Sequence, residues 1–114
     1  VGPYSQAVKS GSLVFISGQI PLDPKTMELV GEDVVRQTHQ VFKNLSAIAK
    51  ASGGNLVDIV KMTIYLTNLD NFSKINEIMT SYFQEPYPAR ATIEVSALPK
   101  AALVEVEAIL ALEI

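Results

Sequence analysis

The chain has no cysteine and a single histidine, His39, among its 114 residues. Without cysteine there are no disulfides and no thiolate ligands, and one histidine leaves the usual ligand set of a zinc site almost empty. His39 would also have to serve any Ser-His-Asp triad, but its charged neighbours on the polar side of a predicted helix are typical of a solvated histidine. No phosphate-binding or dinucleotide-binding fingerprint is present. The sequence therefore favours chemistry without a metal ion or a cofactor.

Long apolar runs and an excess of positive charge are also missing. No apolar run approaches the ~20 residues that span a bilayer, and no signal or transit peptide is recognisable near the start. The formal net charge is −3 and the isoelectric point is near 5.0, whereas nucleic-acid-binding domains usually carry a basic patch. We expect a cytoplasmic protein with neither membrane nor nucleic acid as partner. Because the chain begins at Val1, we expect some residues to precede it, and an organellar location stays open.

Apolar side chains are plentiful, at 48% of the residues. A domain of this length has one core and a large surface relative to its volume. An apolar surplus of this size therefore predicts an oligomer, in which contact between subunits covers part of that surface.

Hydrophobic periodicity predicts strands and helices in the order β-β-α-β-α-β-β. The first helix is expected over 32–51 and the second after residues 68–71. The strand at 59–66 alternates, which places Val60 on its buried face together with Met62. There are no linkers, repeats or low-complexity segments. We predict one α/β (α+β) domain over 1–114, with a mixed sheet and its helices on one face.

The most informative stretch is 86–112, which predicts two strands joined by a short loop. Alternation places Glu105 and Glu107 on one face of the second strand, among apolar residues. If the two strands pair with each other, Arg90 shares a partly covered face with these carboxylates. Such an arrangement is either a structural cross-strand ion pair or a carboxylate-binding pocket with a glutamate of raised pKa beside it as base. The residues alone leave both interpretations open.

Gly18 raises a second choice between structure and function. It follows an apolar run at 13–16 that predicts a buried strand. A glycine at this point either lets another group approach the backbone closely or simply ends the strand before Pro21. The pattern favours neither alternative.

Several motifs resemble the Rid family (RidA/YjgF type, endoribonuclease L-PSP-like). They are GPYSQAV at 2–8, FISGQIPLDPKT at 15–26 and PARATIEVSALPKAALVEVEAI at 88–109. The resemblance extends over nearly the whole chain, and only the usual first strand of the family is expected to be missing. It implies a chorismate-mutase-like fold and a homotrimer, in which the sheets form a central barrel and ligand clefts lie between subunits.

The resemblance also implies an activity. It is the hydrolytic deamination of reactive 2-imino acids, such as 2-iminobutanoate and 2-iminopropanoate, to 2-oxo acids and ammonia. Pyridoxal-phosphate enzymes release these substrates, and the deaminase itself needs no cofactor and no metal. The competing interpretation is a non-catalytic trimer that binds small carboxylates and has a regulatory, translation-inhibitor or chaperone-like role.

Site residues follow from the same motifs, residue by residue. Those implied to be catalytic are Glu105, Arg90 and Tyr4. Those implied to bind substrate are Arg90, Gly18, Ser17, Thr92 and Asn76. The family often has a cysteine where this chain has Thr92, which keeps the backbone carbonyl and a small polar side chain.

Overall fold

A computed structural model describes residues 2–113 and contains the predicted elements in the predicted order. The strands are β1 (Ala7–Ser10), β2 (Leu13–Gln19), β3 (Ile59–Leu66), β4 (Ala89–Glu94) and β5 (Val104–Ala111). The helices are α1 (Val34–Ala51) and α2 (Phe72–Tyr82), and short 3₁₀ turns occupy Leu56–Asp58, Leu69–Asn71 and Pro99–Ala101. Within the described part of the chain, no helix combines the length and the apolar character needed to cross a membrane.

The five strands form one mixed sheet in the order β1-β2-β5-β3-β4. Neighbouring strands are antiparallel except β3 and β4, which are parallel. Parallel neighbours need a long crossover connection, and α2 lies in the chain between β3 and β4. The prediction of a mixed sheet is confirmed.

Both helices cover the same face of the sheet, as predicted. The buried apolar stripe of α1 packs there against β2 and β5, and α2 packs against α1. We call the opposite, uncovered face the open face. Strand register places Val8, Phe15 and Ile93 on the open face, where they are 54%, 43% and 44% exposed. The core therefore lies entirely on one side of the sheet.

The first helix begins two residues later than predicted, because Asp33 caps it. Asp33 has an extended backbone, with φ −109° and ψ 152°, and its Oδ1 accepts a hydrogen bond of 2.9 Å from the Arg36 N–H. A side-chain oxygen at this position satisfies one of the four N–H groups that a helix N-terminus leaves unpaired. The glycines after α1 end it as predicted, since Gly53 has a φ of 98°.

Three local predictions were wrong. The strand at 13–16 is buried on one face only, since Leu13 and Phe15 point to the open face and are 37% and 43% exposed. Val60 lies outside the core, since the register between β3 and β5 shifts between Ile59 and Lys61 and turns Val60 to the exterior. His39 is half-buried rather than solvated, and its Nδ1 lies 2.8 Å from the Tyr82 hydroxyl of α2. Val60 and His39 both follow the tertiary packing rather than the local pattern.

We expect Asp33→Ala to lower the free energy of unfolding by about 1 kcal/mol, because the first turn of α1 loses its side-chain acceptor. Urea titration followed by circular dichroism measures the loss. Glu32→Ala is the matched control, since Glu32 is exposed and precedes the cap, and its effect should stay within about 0.5 kcal/mol. Equal losses in both variants would contradict the role of Asp33.

Candidate active site

The condition for Arg90 and Glu105 to share a face is not met, because β4 and β5 do not pair and β3 lies between them. Arg90 on β4 aligns with Met62 on β3, whereas Glu105 on β5 aligns with Tyr65 on β3. Met62 and Tyr65 are three residues apart, so their side chains point to opposite faces of the sheet. Arg90 therefore faces the helices and Glu105 lies on the open face. One chain does not bring the two groups together.

Arg90 is held in a defined orientation between β4 and α2. Its Nη1 donates a hydrogen bond of 2.6 Å to Asn76 Oδ1 and lies 3.2 Å from Met79 Sδ. The guanidinium carbon is 5.1 Å from the centre of the Phe72 ring, within the range of a cation–π contact. Among residues 2–113 the hydrogen bonds of this guanidinium involve Nη1. The donors of Nη2 and Nε remain for a ligand.

The guanidinium opens into a cleft of about 460 Å³, which we call the arginine cleft. Its lining residues are Asn76, Met79, Thr80, Tyr87, Pro88 and Arg90. Apolar walls with a few polar groups are typical of small-molecule sites. A planar fork of N–H donors matches a carboxylate in two parallel hydrogen bonds. The cleft is therefore suited to a small anion with an apolar body.

Thr92 follows Arg90 by two residues on β4 and lies on the same face of the sheet. Its Oγ1 is buried and has no hydrogen-bond partner among the described residues. An unpaired buried hydroxyl costs about 1–3 kcal/mol. The hydroxyl thus keeps unused hydrogen-bonding capacity near the arginine.

Glu105 lies directly against Gly18 on the other side of the sheet. A Cβ atom at position 18 would stand 2.9 Å from Glu105 Cδ, and closer still to Oε2. Real Cβ contacts are not found at such distances. The glycine is therefore needed for close approach, and the group that approaches it is the Glu105 side chain.

The electrostatics of the open face make Glu105 easier to protonate than an ordinary glutamate. Burial raises the pKa of the Glu105 carboxyl, and the charge of Glu107 raises it further. The Tyr65 hydroxyl donates a hydrogen bond to Glu107 Oε1. This hydrogen bond, above all, raises the pKa of Tyr65. A carboxylate with a raised pKa is suited to take up a proton from water near neutral pH.

The N-terminal segment lies along β2 next to Gly18. Ser17 Oγ donates a hydrogen bond of 2.5 Å to the Ser5 carbonyl, and the Ser17 N–H donates one of 2.9 Å to the Gln6 carbonyl. Tyr4 precedes this anchored stretch, and its side chain is 61% exposed. The predicted site residues thus form two groups. Arg90, Asn76 and Thr92 lie on the helix side. Gly18 and Glu105 meet on the open face, and Ser17 precedes Gly18 on β2.

Comparisons with known proteins identify the family of this chain. The sequence pattern of the family described as endoribonuclease L-PSP matches residues 1–112. The chain belongs to the RidA/L-PSP family. A RidA/L-PSP relative from Dermatophagoides farinae is named 2-iminobutanoate/2-iminopropanoate deaminase. It is 43% identical over 113 residues, which are 99% of this chain and 88% of the relative.

Solved structures of the RidA/L-PSP family have the same fold. RidA from an Antarctic Psychrobacter species is 52% identical and superimposes with a TM-score of 0.95, over 98% of this chain and 90% of that one. E. coli TdcF, solved with bound serine, is 42% identical with a TM-score of 0.92, over 99% of this chain and 91% of that one. The prediction of family and fold class is confirmed.

Sequence reasoning missed two aromatic residues of this RidA/L-PSP chain. Tyr65 was visible only as an outward residue of a strand, because its contact with Glu107 depends on β3 lying next to β5. Tyr87 lines the arginine cleft, and its position three residues before Arg90 was the only available signal. The Tyr65 contact joins two strands that local patterns do not connect, whereas Tyr87 lies close to Arg90 in the sequence.

We expect Gly18→Ala to displace the Glu105 carboxylate and to lower the free energy of unfolding by about 0.5–1 kcal/mol, because the displaced atoms are the end of a flexible side chain that can rotate away. In a Glu105→Ala background the same change should cost less than about 0.5 kcal/mol, since the clashing side chain is gone. Urea unfolding of the four proteins in this double-mutant cycle measures the difference. An unchanged cost in both backgrounds would contradict the contact.

Proposed function

We propose that this RidA/L-PSP protein hydrolyses small 2-imino acids to 2-oxo acids and ammonia, without a metal or a cofactor. The observation that carries the proposal is the Arg90 guanidinium, which Asn76 orients into an apolar cleft with donors left for a carboxylate. A 2-imino acid has one carboxylate and a small side chain, which suit this cleft. The deaminase from Dermatophagoides farinae and the serine bound to TdcF support a ligand of amino-acid size.

We further propose that the active site forms between subunits of a homotrimer. Arg90 and Glu105 lie on opposite faces of one sheet, so within a single chain a substrate held by Arg90 cannot reach Glu105. Assembly through the open face would cover the exposed side chains of Val8, Phe15 and Ile93, whose burial is favourable. It would also carry the Glu105 half of one subunit to the arginine cleft of the next.

Substrate binding in this proposal uses donors from both halves. Nη2 and Nε of Arg90 hold the carboxylate in two parallel hydrogen bonds. The Gly18 N–H of the neighbouring subunit adds a third donor, and Asn76 fixes the plane of the guanidinium. Ser17 supports this arrangement by fastening the segment before β2. The imine carbon is then placed beside Glu105.

The chemistry needs one water molecule and one base. Glu105 accepts a proton as the water oxygen bonds to the imine carbon, and this proton passes to the nitrogen to give a carbinolamine. The C–N bond then breaks, the hydroxyl proton moves through Glu105 to the leaving nitrogen, and ammonia departs from the 2-oxo acid. The Thr92 carbonyl is proposed to orient the water, and Tyr4 to close the cleft and assist the loss of ammonia. General-base help of this kind contributes typically 10²–10⁴-fold.

The competing functions have weaker support. RNA cleavage is suggested by the family's description as an endoribonuclease, but a net charge of −3 provides little of the cationic density that phosphate binding needs. A trimer that binds small carboxylates without reaction uses the same arginine cleft but leaves the raised pKa of Glu105 without a role.

The absence of cysteine keeps a reduced cytosol as the expected location.

We expect Arg90→Ala to lower kcat/KM by tenfold or more, because losing one charge-assisted hydrogen bond costs about 1.5–3 kcal/mol. An amino-acid oxidase generates the 2-imino acid, semicarbazide traps it, and the fall in semicarbazone measures hydrolysis. Arg36→Ala, on the exposed side of α1, is the matched control and should keep wild-type activity.

Two results of this assay would change the assignment. Wild-type activity in Arg90→Ala would remove Arg90 from the site. If the unaltered protein lowers semicarbazone with none of several amino acids, the chemistry is withdrawn and the carboxylate-binding trimer takes its place.

A mixture of two inactive variants tests the shared site. Arg90→Ala and Glu105→Gln should each be impaired alone. Co-refolded in equal amounts, they should recover about a quarter of wild-type activity, because one site in four then combines an intact arginine with an intact glutamate. Semicarbazone trapping measures the recovery, and mixing without refolding is the control. No recovery in confirmed mixed trimers would contradict a site that combines Arg90 of one subunit with Glu105 of another.

A further inference from the structure

We propose that Glu107 and Tyr65 form a positioning pair that keeps Glu105 as the titrating base of the site. Glu107 is then held in place by the Tyr65 hydroxyl, and Glu105 is the carboxylate that gains and loses a proton. The inference rests on the proposed function, and it assigns roles to two residues that act through Glu105 rather than on the substrate.

The register of β3 and β5 gives Glu105 and Glu107 different neighbours on β3. Both point to the open face, two residues and about 6.6 Å apart along β5. Tyr65 is directly opposite Glu105, whereas the residue opposite Glu107 is Thr63. The Tyr65 hydroxyl nevertheless extends diagonally and donates to Glu107. Glu105 therefore receives no hydrogen bond from the Tyr65 hydroxyl, although Tyr65 is the residue directly opposite it.

The surroundings of the two carboxylates differ in the same sense. Within the subunit Glu107 is exposed, and it accepts the hydrogen bond of the Tyr65 hydroxyl. Glu105 is half-buried and packs against Gly18 of β2, so its charged form is disfavoured. Environments that push paired carboxylates apart in this way are how enzymes divide acid and base roles.

Few charged groups face Glu105 from the strands around it. From β3 they are Lys61, farther along the same face opposite Ile109, together with the titratable but neutral phenol of Tyr65. From β5 the charged neighbour is Glu107, and β2 presents Gly18. Beyond β3, the residues of β4 on this face are uncharged: Ala89, Ala91 and Ile93. Glu107 stands between Lys61 and Glu105 along the strands, so the nearest full charge within the subunit is negative.

The test follows the titration of Glu105 in Glu107→Gln and in Tyr65→Phe. Glu107→Gln removes the neighbouring charge while its amide oxygen still accepts the hydrogen bond of the Tyr65 hydroxyl, so the loss of like-charge repulsion lowers the pKa of Glu105. Tyr65→Phe should move it in the same direction but less, because Glu107 is then no longer held beside Glu105. Carbon-13 NMR of the side-chain carboxyl measures this without any substrate.

Activity gives a second readout. Because the base must be unprotonated, kcat/KM falls as pH drops through the pKa of Glu105. In Glu107→Gln this acid limb should move to lower pH, so that kcat/KM on the limb rises about threefold at a fixed pH while the plateau stays within about twofold. Glu107→Asp retains the charge and should keep the limb near the wild-type position. Tyr82→Phe, which removes a tyrosine hydroxyl at the contact of α1 and α2, should leave it unchanged.

The outcomes distinguish the positioning role of Glu107 and Tyr65 from the proposed imine hydrolysis. If Glu105 titrates identically in the wild type and Glu107→Gln, the positioning role is overturned even where imine hydrolysis is observed. An equal displacement in Tyr82→Phe would also overturn it, since the effect would then be structural. If the NMR titration responds as expected but no imine is hydrolysed, the pair stands and the proposed function falls.

Discussion

The position of β3 between β4 and β5 is the constraint on which the rest of this structure depends. Aligned residues of neighbouring strands share a face, and an odd separation along a strand reverses it. Arg90 and Glu105 are tied to Met62 and Tyr65, three residues apart on β3. A shift of one residue in either register would put both charged groups on one face, with no need for a second subunit.

The two faces prepare their charged groups in different ways. On the helix side, the Asn76 amide and the Phe72 ring fix the orientation of the Arg90 guanidinium, and part of its N–H donors stays available. On the open face, Glu105 is partly desolvated against Gly18, next to a second carboxylate already engaged by Tyr65. The first arrangement favours binding of an anion, and the second favours proton transfer. Each is incomplete as a catalyst, which is why assembly is central to the proposed function.

Much of this architecture could be predicted before any coordinates. Periodicity predicted every helix and strand in order, since the apolar stripes and the alternation at 59–66 are strong local signals. The family motifs singled out Arg90, Asn76, Gly18 and Glu105, and the structure groups them in pairs. The errors at Val60 and His39 arose where a register shift and a helix–helix contact override the local pattern.

The sequence by itself determined the element order, the mixed α/β class, the family and the identity of the charged residues, because these depend on local periodicity and motifs. Only the tertiary structure decided which strands are neighbours, and with that the separation of Arg90 from Glu105 and the contact of Tyr65 with Glu107. Strand order depends on contacts between segments distant in the chain. Alternation records which side chains share a face of their own strand, but it carries no information about the strand that lies beside it.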